Sequence, residues 1–262
     1  MTPQSTQLTD AAALLYDAQS SAIPIQPLTQ TYPNLDMAQA YAVQRLNLTR
    51  RIDQGAVLRG HKIGLTSAPM QQLLGVSEPD FGYILDTMVL PNGADVPLTA
   101  FCAPRVEPEV AFLLRAPLRG PGVTVEDVMA ATEAVAPALE IVDSRIADWR
   151  ITLADTIADN ASSAAVVLGE WVPIRDLPPL PETTATLAVN DETVATGQGT
   201  AVLGDPANAV AWLANAIARY GDVIEAGQFV MSGSYTTASF VAAGDHASAV
   251  ISGLGAVTVS FE

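Results

Sequence analysis

The chain has 262 residues, of which 49% are hydrophobic and 15% charged, so it can bury a substantial core and is not a disordered chain. Its formal net charge of −16 opposes contact with the phosphates of nucleic acid, and Cys102, its only cysteine, has no partner for an intramolecular disulfide. No apolar run reaches membrane-spanning length, and residues 1–5 lack the basic head of a signal peptide. We therefore expect a cytoplasmic protein that binds neither nucleic acid nor a membrane.

The N-terminal part of the chain is predicted to be helical. Apolar residues recur at helical spacing over 8–22 and again over 37–52, and prolines interrupt the pattern between the two segments. From residue 56 onward the sequence changes to short apolar runs separated by Gly, Pro, Asp and Asn, which is typical of strands. We predict strands over 57–63, 83–90, 110–114, 134–142, 163–168, 185–189, 229–231 and 256–261.

Further helices are predicted over 68–74, 125–134 and 206–220, the last with Asp205 as its N-cap. Many short strands with only occasional helices favour a mixed or antiparallel α+β architecture over a regularly alternating one. The sequence contains no internal repeat and no low-complexity linker. We therefore predict one domain, whose parts are a helical N-terminal subregion over 1–55 and a β-rich core over 56–262.

Lys62 is the only lysine of the chain, against eleven arginines. Arginine keeps its proton at any working pH, whereas a buried lysine can lose a proton and regain it. An exposed surface lysine would not indicate a function. However, the apolar residues before Lys62 and the glycines on either side of it place it at the end of a predicted strand. Lys62 is therefore a candidate for proton transfer.

Three glutamates are candidates for a metal site. Glu107 and Glu109 stand two residues apart, so on a strand their side chains share one face. Glu140 lies within an apolar stretch, where a buried charge needs a partner or a metal. Together they would suit a hard divalent cation, Mg²⁺ or Mn²⁺. Two alternatives stay open: an exposed acidic strand start, and a salt bridge from Glu140 to Arg105 or Arg145.

Two other polar segments have more than one interpretation. Asp80 follows Pro79 in a turn-rich loop, where this pair is an ordinary turn sequence. The cluster over 155–163 can cap a helix or line a pocket. Glycine-rich phosphate loops and a Gly-x-Ser-x-Gly elbow are absent from the sequence, and two histidines with one cysteine are too few for a zinc site. His246 follows a predicted turn, so a serine triad is not expected.

Ordered sequence blocks cover nearly the whole chain: HKIGLTS from His61, QQLLGVSEPDFG from Gln71, PRVEPEVAFLL from Pro104, PALEIVDSRIADWRI from Pro137, DTIADNASS from Asp155, and the C-terminal GDPANAVAWLAN and EAGQFVMSG. In this order they resemble the hydratase and decarboxylase branch of the fumarylacetoacetate hydrolase superfamily. The resemblance implies a distorted, mixed β-barrel or roll with an added helical N-terminal region. That fold agrees with the predicted elements.

The resemblance also implies roles for particular side chains. The family's three metal-binding carboxylates correspond to Glu107, Glu109 and Glu140, and its catalytic lysine corresponds to Lys62. The acidic partner of that lysine corresponds to Asp80, and the pocket serine to Ser162. The implied cofactor is Mg²⁺ or Mn²⁺, and the implied substrate is a small 2-hydroxydienoate or 2-oxo acid. Members assemble as homo-oligomers, so we expect a homo-oligomer here, with the downstream aldolase or decarboxylase of the same pathway as a further partner.

The implied reaction is the addition of water to 2-hydroxypenta-2,4-dienoate, giving 4-hydroxy-2-oxopentanoate, in the meta-cleavage breakdown of aromatic compounds. Four alternatives stay open: decarboxylation of 2-oxo-3-hexenedioate (4-oxalocrotonate), hydration of longer or dicarboxylic dienoates, carbon–carbon hydrolysis, and a metal-stabilised binding protein without activity. Residues 232–237 depart from the pattern expected of such a hydratase, which leaves the tail of the substrate open. In this interpretation Lys62 has a lowered pKa, because burial and a nearby cation both disfavour its charge.

Overall fold

The computed structural model of the protein describes residues 3–67, 71–72 and 75–262, so the helix predicted over 68–74 lies mostly outside the described residues. Helices occupy most of the chain up to residue 53, and strands dominate after it. The helices are α1 (Pro3–Ser21), α2 (Leu28–Thr31), α3 (Met37–Asp53), α4 (Val125–Ala131), α5 (Leu153–Ala158) and α6 (Pro206–Ile217). Within the described ranges, no helix has the length and apolar character needed to cross a membrane.

The strands alternate with short turns through the rest of the chain. They are β1 (Leu58–Gly64), β2 (Asp80–Leu85), β3 (Val89–Leu90), β4 (Ala94–Val96), β5 (Arg105–Leu114), β6 (Thr132–Val142), β7 (Ser163–Leu168), β8 (Val172–Pro173), β9 (Thr184–Val189), β10 (Glu192–Gln198), β11 (Phe229–Met231), β12 (Ser239–Phe240), β13 (His246–Ile251) and β14 (Gly255–Phe261).

In the described part of the chain these strands form two sheets. The larger follows the order β2-β1-β11-β5-β6-β7-β3, with β12 paired to β5 and β8 paired to β6, and the smaller follows the order β10-β9-β13-β14-β4. The pairs β1–β11, β3–β7 and β4–β14 are parallel, whereas the long β5–β6 pair is antiparallel. The architecture is therefore mixed α+β, as predicted.

The larger sheet is curled, and its outer face is covered by the smaller sheet over one half and by helices over the other. Leu139 and Ile141 of β6 pack in one buried cluster with Leu187 of β9, which belongs to the smaller sheet. On the inner face, Ile84 of β2 and Val166 of β7 share another buried cluster although their strands lie near opposite ends of the sheet. The sheet therefore closes into a partial barrel with an interior of its own.

The N-terminal helices share a core with the strands. Leu15 of α1 and Val43 of α3 lie in the same buried cluster as Ile63 of β1, Phe112 of β5 and Val210 of α6. A common core of this kind supports the assignment of 1–262 to one domain with a helical subregion over 1–55. That assignment stays a prediction.

Two of the predicted elements extend across a change of secondary structure. The strand predicted over 83–90 is wrong as a single element, because β2 ends at Leu85 and the turn Asp86–Met88 separates it from β3. The helix predicted over 125–134 ends at Ala131, where the chain passes directly into β6. Each boundary is marked only by a short polar pair, Asp86-Thr87 at the first and Thr132-Glu133 at the second, between apolar segments, and the prediction runs across both.

Five strands are absent from the prediction. Strands β4, β8 and β12 are only two or three residues long, and in β10 and β13 small and polar side chains weaken the alternation. His246, which follows the predicted turn, is the first residue of β13. Strand β5 begins at Arg105, earlier than predicted. Glu107 and Glu109 therefore lie within a central strand, and the alternative of an exposed acidic strand start is wrong.

Buried Asp155 ties α5 to the N-terminal region. Its carboxylate accepts hydrogen bonds from the backbone N–H and the hydroxyl of Thr152, at 2.9 and 2.8 Å, which caps α5. It also accepts from the backbone N–H and the hydroxyl of Thr29 in α2, at 3.0 and 2.8 Å. One side chain thus fixes the start of a helix whose end leads into Ser162.

We expect Asp155→Ala to lower the free energy of unfolding by about 3 kcal/mol, because it removes one half of the capping box of α5 and leaves the partly buried N–H of Thr29 without an acceptor. The matched control is Asp36→Ala at the exposed N-cap of α3, which should cost only about 1 kcal/mol. Urea unfolding of both variants measures the two losses. Equal losses would contradict the role given to Asp155.

Candidate active site

Five of the six predicted site residues lie on strands of the larger sheet, inside its curl. Lys62 of β1 is paired with Gly82 of β2, and Glu107 of β5 is paired with Glu140 of β6. Paired residues of neighbouring strands point to the same side of a sheet, and residues two apart on one strand do so as well. The ladder therefore brings the lysine and the carboxylates to one surface. Ser162, the sixth, reaches the same pocket from the turn after α5.

The three glutamates form a candidate metal centre. One oxygen of each of Glu107, Glu109 and Glu140 lies within 4.8 Å of the others. Glu140 is fully buried, and neither of its oxygens has a hydrogen-bond partner among the described residues. Glu109 Oε2 accepts a hydrogen bond from the backbone N–H of Gly233 at 2.8 Å, which fixes its orientation. Buried carboxylate oxygens without donors fit a hard divalent cation with oxygen ligands.

Lys62 is buried directly beside this centre. Its Nζ lies 3.3 Å from Glu140 Oε2 and donates a hydrogen bond to the backbone carbonyl of Ala161 at 2.8 Å. Burial by itself lowers the pKa of Lys62, but Glu140, Asp80 and the two other glutamates outweigh it and raise that pKa above its usual range. The lowered pKa predicted from sequence is therefore wrong for the metal-free site, because that argument counted a cation and left out the carboxylates.

Negative charge is in excess at this point of the structure, since four carboxylates surround the ammonium of Lys62. Burial raises the pKa of Asp80 to about 6, against the opposing effect of Lys62. Burial and the charge of Glu140 raise the pKa of Glu107 to about 7. The same two causes raise the pKa of Glu109 well above its ordinary value. A bound divalent cation would offset this excess.

Gly64 provides the space in which Asp80 approaches Lys62. A Cβ at Gly64 would lie 2.2 Å from Asp80 Oδ1 and 3.4 Å from Lys62 Nζ. Asp80 is buried, and its Oδ1 has no hydrogen-bond partner in the described part of the chain. Any side chain at position 64 would therefore displace the acid from the lysine.

The turn Asn160–Ser162 carries the serine and the carbonyl that binds Lys62. Its three residues have φ of +57°, +49° and +56°, a region that side-chain-bearing residues rarely adopt. Asn160 anchors the turn to β2, because its amide accepts from the N–H of Tyr83 at 2.8 Å and donates to the carbonyl of Tyr83 at 3.0 Å. Ser162 Oγ lies 3.3 Å from Thr156 Oγ1.

A buried ion pair holds this turn from the other side. Arg145 Nε lies 2.5 Å from Asp159 Oδ1, and Arg145 Nη1 donates to the carbonyl of Ser163 at 3.1 Å. The suggested salt bridge from Glu140 to an arginine is wrong, because the ion-pair partner of Glu140 is Lys62. The polar cluster over 155–163 thus serves both interpretations left open by the sequence, as cap and as pocket wall.

A pocket of about 560 Å³ lies over these groups, with Lys62, Asp80 and Glu107 in its wall. Further lining side chains that the sequence analysis left unassigned include Arg105, Trp149, Ile151, Ser234, Thr236 and Thr237. The unusual segment 232–237 was a signal for part of this wall. The sequence contained no signal for Trp149, because the position of this side chain depends on how a turn packs over the sheet.

His61 faces away from the pocket, since neighbouring residues of β1 alternate between the faces of the sheet. It is buried near Tyr41 and Asp222, and burial lowers its pKa to about 4. His246 is exposed, with Nδ1 3.2 Å from the hydroxyl of Ser260. Neither histidine lies in the wall of the active-site pocket, where carbon–carbon hydrolysis would require one.

Comparison with known proteins identifies the family. The model of the family described as "Fumarylacetoacetate (FAA) hydrolase C-terminal" matches residues 58–262. The chain belongs to the fumarylacetoacetate hydrolase family. The matched segment begins with β1 and includes every strand of both sheets, so it contains all six predicted site residues.

Two hydratases match all or nearly all of the chain. A 2-keto-4-pentenoate hydratase of Paraburkholderia xenovorans (strain LB400) is 45% identical over 264 residues, which span 100% of this chain and 97% of the relative. A 2-hydroxyhexa-2,4-dienoate hydratase of Comamonas testosteroni is 43% identical over 249 residues, which span 94% of each chain.

A solved structure resembles this one over its full length. It is the 4-oxalocrotonate decarboxylase from Pseudomonas putida G7, complexed with magnesium and adipate, and the TM-score is 0.95 at 34% identity. The match covers 100% of this chain and 99% of that one. The predicted fold class, a mixed α+β roll with a helical N-terminal region, is confirmed by this likeness.

We expect Mn²⁺ to bind at the three glutamates, and Glu140→Gln to weaken that binding roughly 100-fold, because ligand charge sets the affinity for hard cations. The matched control is Glu133→Gln, an exposed position on the same strand, which should leave the affinity unchanged. Calorimetric titration measures both affinities. Equal affinities of the two variants would show that the cation binds elsewhere.

The raised pKa of Glu107 predicts how the metal-free protein responds to pH. The folded protein holds this proton more tightly than the unfolded chain, so the stabilisation is fully present below pH 4.5 and is lost as the pH rises to about 7. Glu107→Gln removes the titration. In the presence of chelator its stability should rise relative to wild type across this interval, by at most about 1.4 kcal/mol per pH unit for one proton.

Urea unfolding at several pH values measures this difference. Glu133→Gln is again the control, and its stability should keep a constant offset from wild type. A constant offset for Glu107→Gln as well would mean that Glu107 ionises freely in the folded protein.

Proposed function

We propose that the chain is a divalent-cation-dependent hydro-lyase that adds water to 2-hydroxypenta-2,4-dienoate and forms 4-hydroxy-2-oxopentanoate. One observation carries the proposal: Lys62 and Asp80, two groups able to exchange protons, lie buried beside three carboxylates in a single pocket. A purely structural metal site would need neither group, which disfavours an inactive binding protein. The hydratases among its relatives, at 43% and 45% identity, support this reaction class.

We assign Mg²⁺ or Mn²⁺ to Glu107, Glu109 and Glu140, since carboxylate oxygens suit both ions. The magnesium in the decarboxylase structure supports this assignment. When bound there, the cation supplies Lewis-acid chemistry that stabilises negative charge on substrate oxygens.

Lys62 is the proton carrier in this proposal. Hydration removes the proton of the 2-hydroxyl and adds one at C5; the oxygen of water then bonds to C4 while C3 gains a proton, so one water is added in total. Lys62 Nζ is fixed by the carbonyl of Ala161 and by Glu140, so it stays in place during these transfers. Neutralising the carboxylates removes the field that raises its pKa and leaves burial, which lowers it.

Asp80 is the base for the added water. With a pKa of about 6 it is ionised at neutral pH, yet close enough to neutrality to take a proton from water as the oxygen bonds to C4. Ser162 donates its hydroxyl proton to the substrate carboxylate or to this water, oriented by Thr156.

Decarboxylation of 2-oxo-3-hexenedioate is the second candidate function. It would need a cation at the far end of the pocket to hold the second carboxylate, and Arg105 is a cation in that wall. The decarboxylase of similar fold supports it at 34% identity. Carbon–carbon hydrolysis has less support, since His61 faces away from the pocket.

We further propose a homo-oligomeric, cytoplasmic enzyme. Exposed apolar side chains such as Ile23, Val57 and Phe240 offer surface for contact between copies. The product is a 4-hydroxy-2-oxo acid, which is open to retro-aldol cleavage, so a downstream aldolase is a suitable partner. The charge of −16 supports the absence of nucleic acid among its ligands.

The test follows the loss of dienol ultraviolet absorbance for 2-hydroxypenta-2,4-dienoate with Mg²⁺ or Mn²⁺, and identifies the product by mass. We expect chelator to abolish turnover, and Lys62→Arg and Asp80→Asn each to lower kcat by roughly 100-fold or more, because each removes one proton-transfer group. Arg59→Lys, exposed on the same strand as Lys62, is the control and should leave kcat unchanged.

Each other outcome replaces the proposal with a named alternative. Release of CO₂ from 2-oxo-3-hexenedioate without hydration of the pentadienoate would make the chain a decarboxylase. Stabilisation by metal with no turnover of either compound would favour the inactive binding protein. Full activity of Lys62→Arg would remove Lys62 from the mechanism.

A further inference from the structure

The active-site pocket contains a cation, Arg105, that has Glu107 as an acidic neighbour but forms no close ion pair among the described residues. Arg105 lines the pocket together with Glu107, but its Nε is enclosed without a hydrogen-bond partner, and no described residue forms an ion pair or hydrogen bond with its guanidinium. The other cations buried in this region, Lys62 and Arg145, are both paired with carboxylates. The terminal nitrogens of Arg105 are not enclosed, so they are open to the pocket, where water or the acceptor of a ligand can bind them.

Two aromatic rings hold this guanidinium in place. Its central carbon lies 4.3 Å from the ring centroid of Trp149 and 4.0 Å from that of Phe240. Trp149 is itself fixed, because its Nε1 donates to the carbonyl of Ala103 at 3.0 Å. Rings attract the guanidinium through their faces and accept none of its in-plane N–H bonds. The fork is therefore ordered while its terminal donors remain available.

Strand β5 sets the distance from this fork to the metal centre. Arg105, Glu107 and Glu109 stand two residues apart along β5, so their side chains point to the same face of the sheet. At the usual rise per residue, Arg105 lies about 7 Å beyond Glu107 along the strand. Across the ladder, Glu107 faces Glu140 whereas Arg105 faces Val142, one step further along. An extended six-carbon chain spans about 6 Å at the bond spacing of an extended backbone. A ligand bound at the glutamates would thus reach Arg105 with its far end.

The segment that departs from the expected hydratase pattern forms part of the same wall. Ser234, Thr236 and Thr237 line the pocket, and Ser234 Oγ donates to the carbonyl of Thr236 at 2.9 Å. The segment leads into β12, whose Phe240 is paired with Arg105 in the sheet. The hydroxyl-bearing segment and the guanidinium are therefore held together at one end of the pocket.

We infer that Arg105 forms a subsite for a second carboxylate, so that the pocket accepts six-carbon dicarboxylic dienoates and 2-oxo acids in addition to the five-carbon monocarboxylate. The planar guanidinium would donate two parallel N–H bonds to that carboxylate, a geometry that lysine does not reproduce. Val142 and Ile151 supply apolar contact for the carbon chain between the two ends. The inference rests on the proposed function, which assigns to the three glutamates a divalent cation that stabilises the substrate oxygens at the other end of the pocket.

The first arm of the test measures binding without turnover. Adipate and hexanoate, which differ only in the second carboxylate, are titrated calorimetrically into the Mg²⁺-loaded protein. We expect wild type to bind adipate more tightly, and both Arg105→Gln and Arg105→Lys to lose roughly 10- to 100-fold in adipate affinity with little change for hexanoate. Arg175→Gln, at an exposed position away from the pocket, is the control and should match wild type.

The second arm compares kcat/KM for 2-hydroxypenta-2,4-dienoate with that for 2-oxo-3-hexenedioate. We expect Arg105→Gln to lower the ratio of dioate to monoacid turnover by a similar factor. Equal losses on both substrates would place Arg105 at the carboxylate they share and overturn the inference, and so would unchanged kinetics. Equal affinity of wild type for adipate and hexanoate would overturn it as well.

The two arms separate failure of the subsite from failure of the proposed function. Binding of adipate through Arg105 by a protein that turns over neither substrate would keep the subsite and reject the hydratase. Hydration of the monoacid with no effect of Arg105 on either arm would keep the hydratase and reject the subsite.

Discussion

Four carboxylates, three of them buried, surround one ammonium, and this is the constraint that the rest of the structure must satisfy. Like charges repel strongly once water is removed, and each carboxylate also loses its hydration. The raised pKa values of Asp80 and Glu107 reflect both costs, first the loss of hydration on burial and then the charge of Glu140. The register of the strands sets these groups side by side, and the backbone further orients Glu109 and Lys62 through Gly233 and Ala161. A divalent cation then meets an oxygen cluster that is already assembled, with little conformational freedom left to lose.

The fixing is done by the opposite face of the same sheet. Phe112 of β5 and Leu139 and Ile141 of β6 are fully buried against the helices or the smaller sheet. A slip of one residue between β5 and β6 would exchange these side chains with the glutamates, so burial of the apolar face also specifies the register of the acidic face. The free energy that offsets the repulsion is therefore hydrophobic in origin, and it is supplied a few ångströms away on the other side of the strands.

Much of the site can be predicted from sequence because it lies on regular strands. Period-two spacing puts Glu107 and Glu109 on one face, an apolar context marks Glu140 as buried, and composition singles out Lys62. Asp80 and Ser162 were placed only by resemblance to a family, since a turn sequence does not state what the turn packs against. The left-handed turn Asn160–Ser162 has no glycine to signal it.

Other features depend on contacts between distant segments, and local pattern does not contain them. The pKa of Lys62 moves in the direction opposite to the one expected, because four carboxylates from three other strands surround it. The environment of Arg105 requires that β12 pair with β5 and that Trp149 fold over the same place. Strands β10 and β13 escaped notice for a simpler reason, since sheet pairing and not hydrophobic alternation defines them.

The alternation along β5 has a consequence for how such an enzyme diversifies. Inserting or deleting one residue in this strand would turn its row of polar side chains, Arg105, Glu107 and Glu109, toward the hydrophobic core, so the fold would not tolerate such a change. Point substitutions at the outer end of the row, beyond the glutamates, leave the chemistry untouched. The length and charge of the accepted ligand can therefore change in related enzymes while the metal site and the proton-transfer residues stay the same.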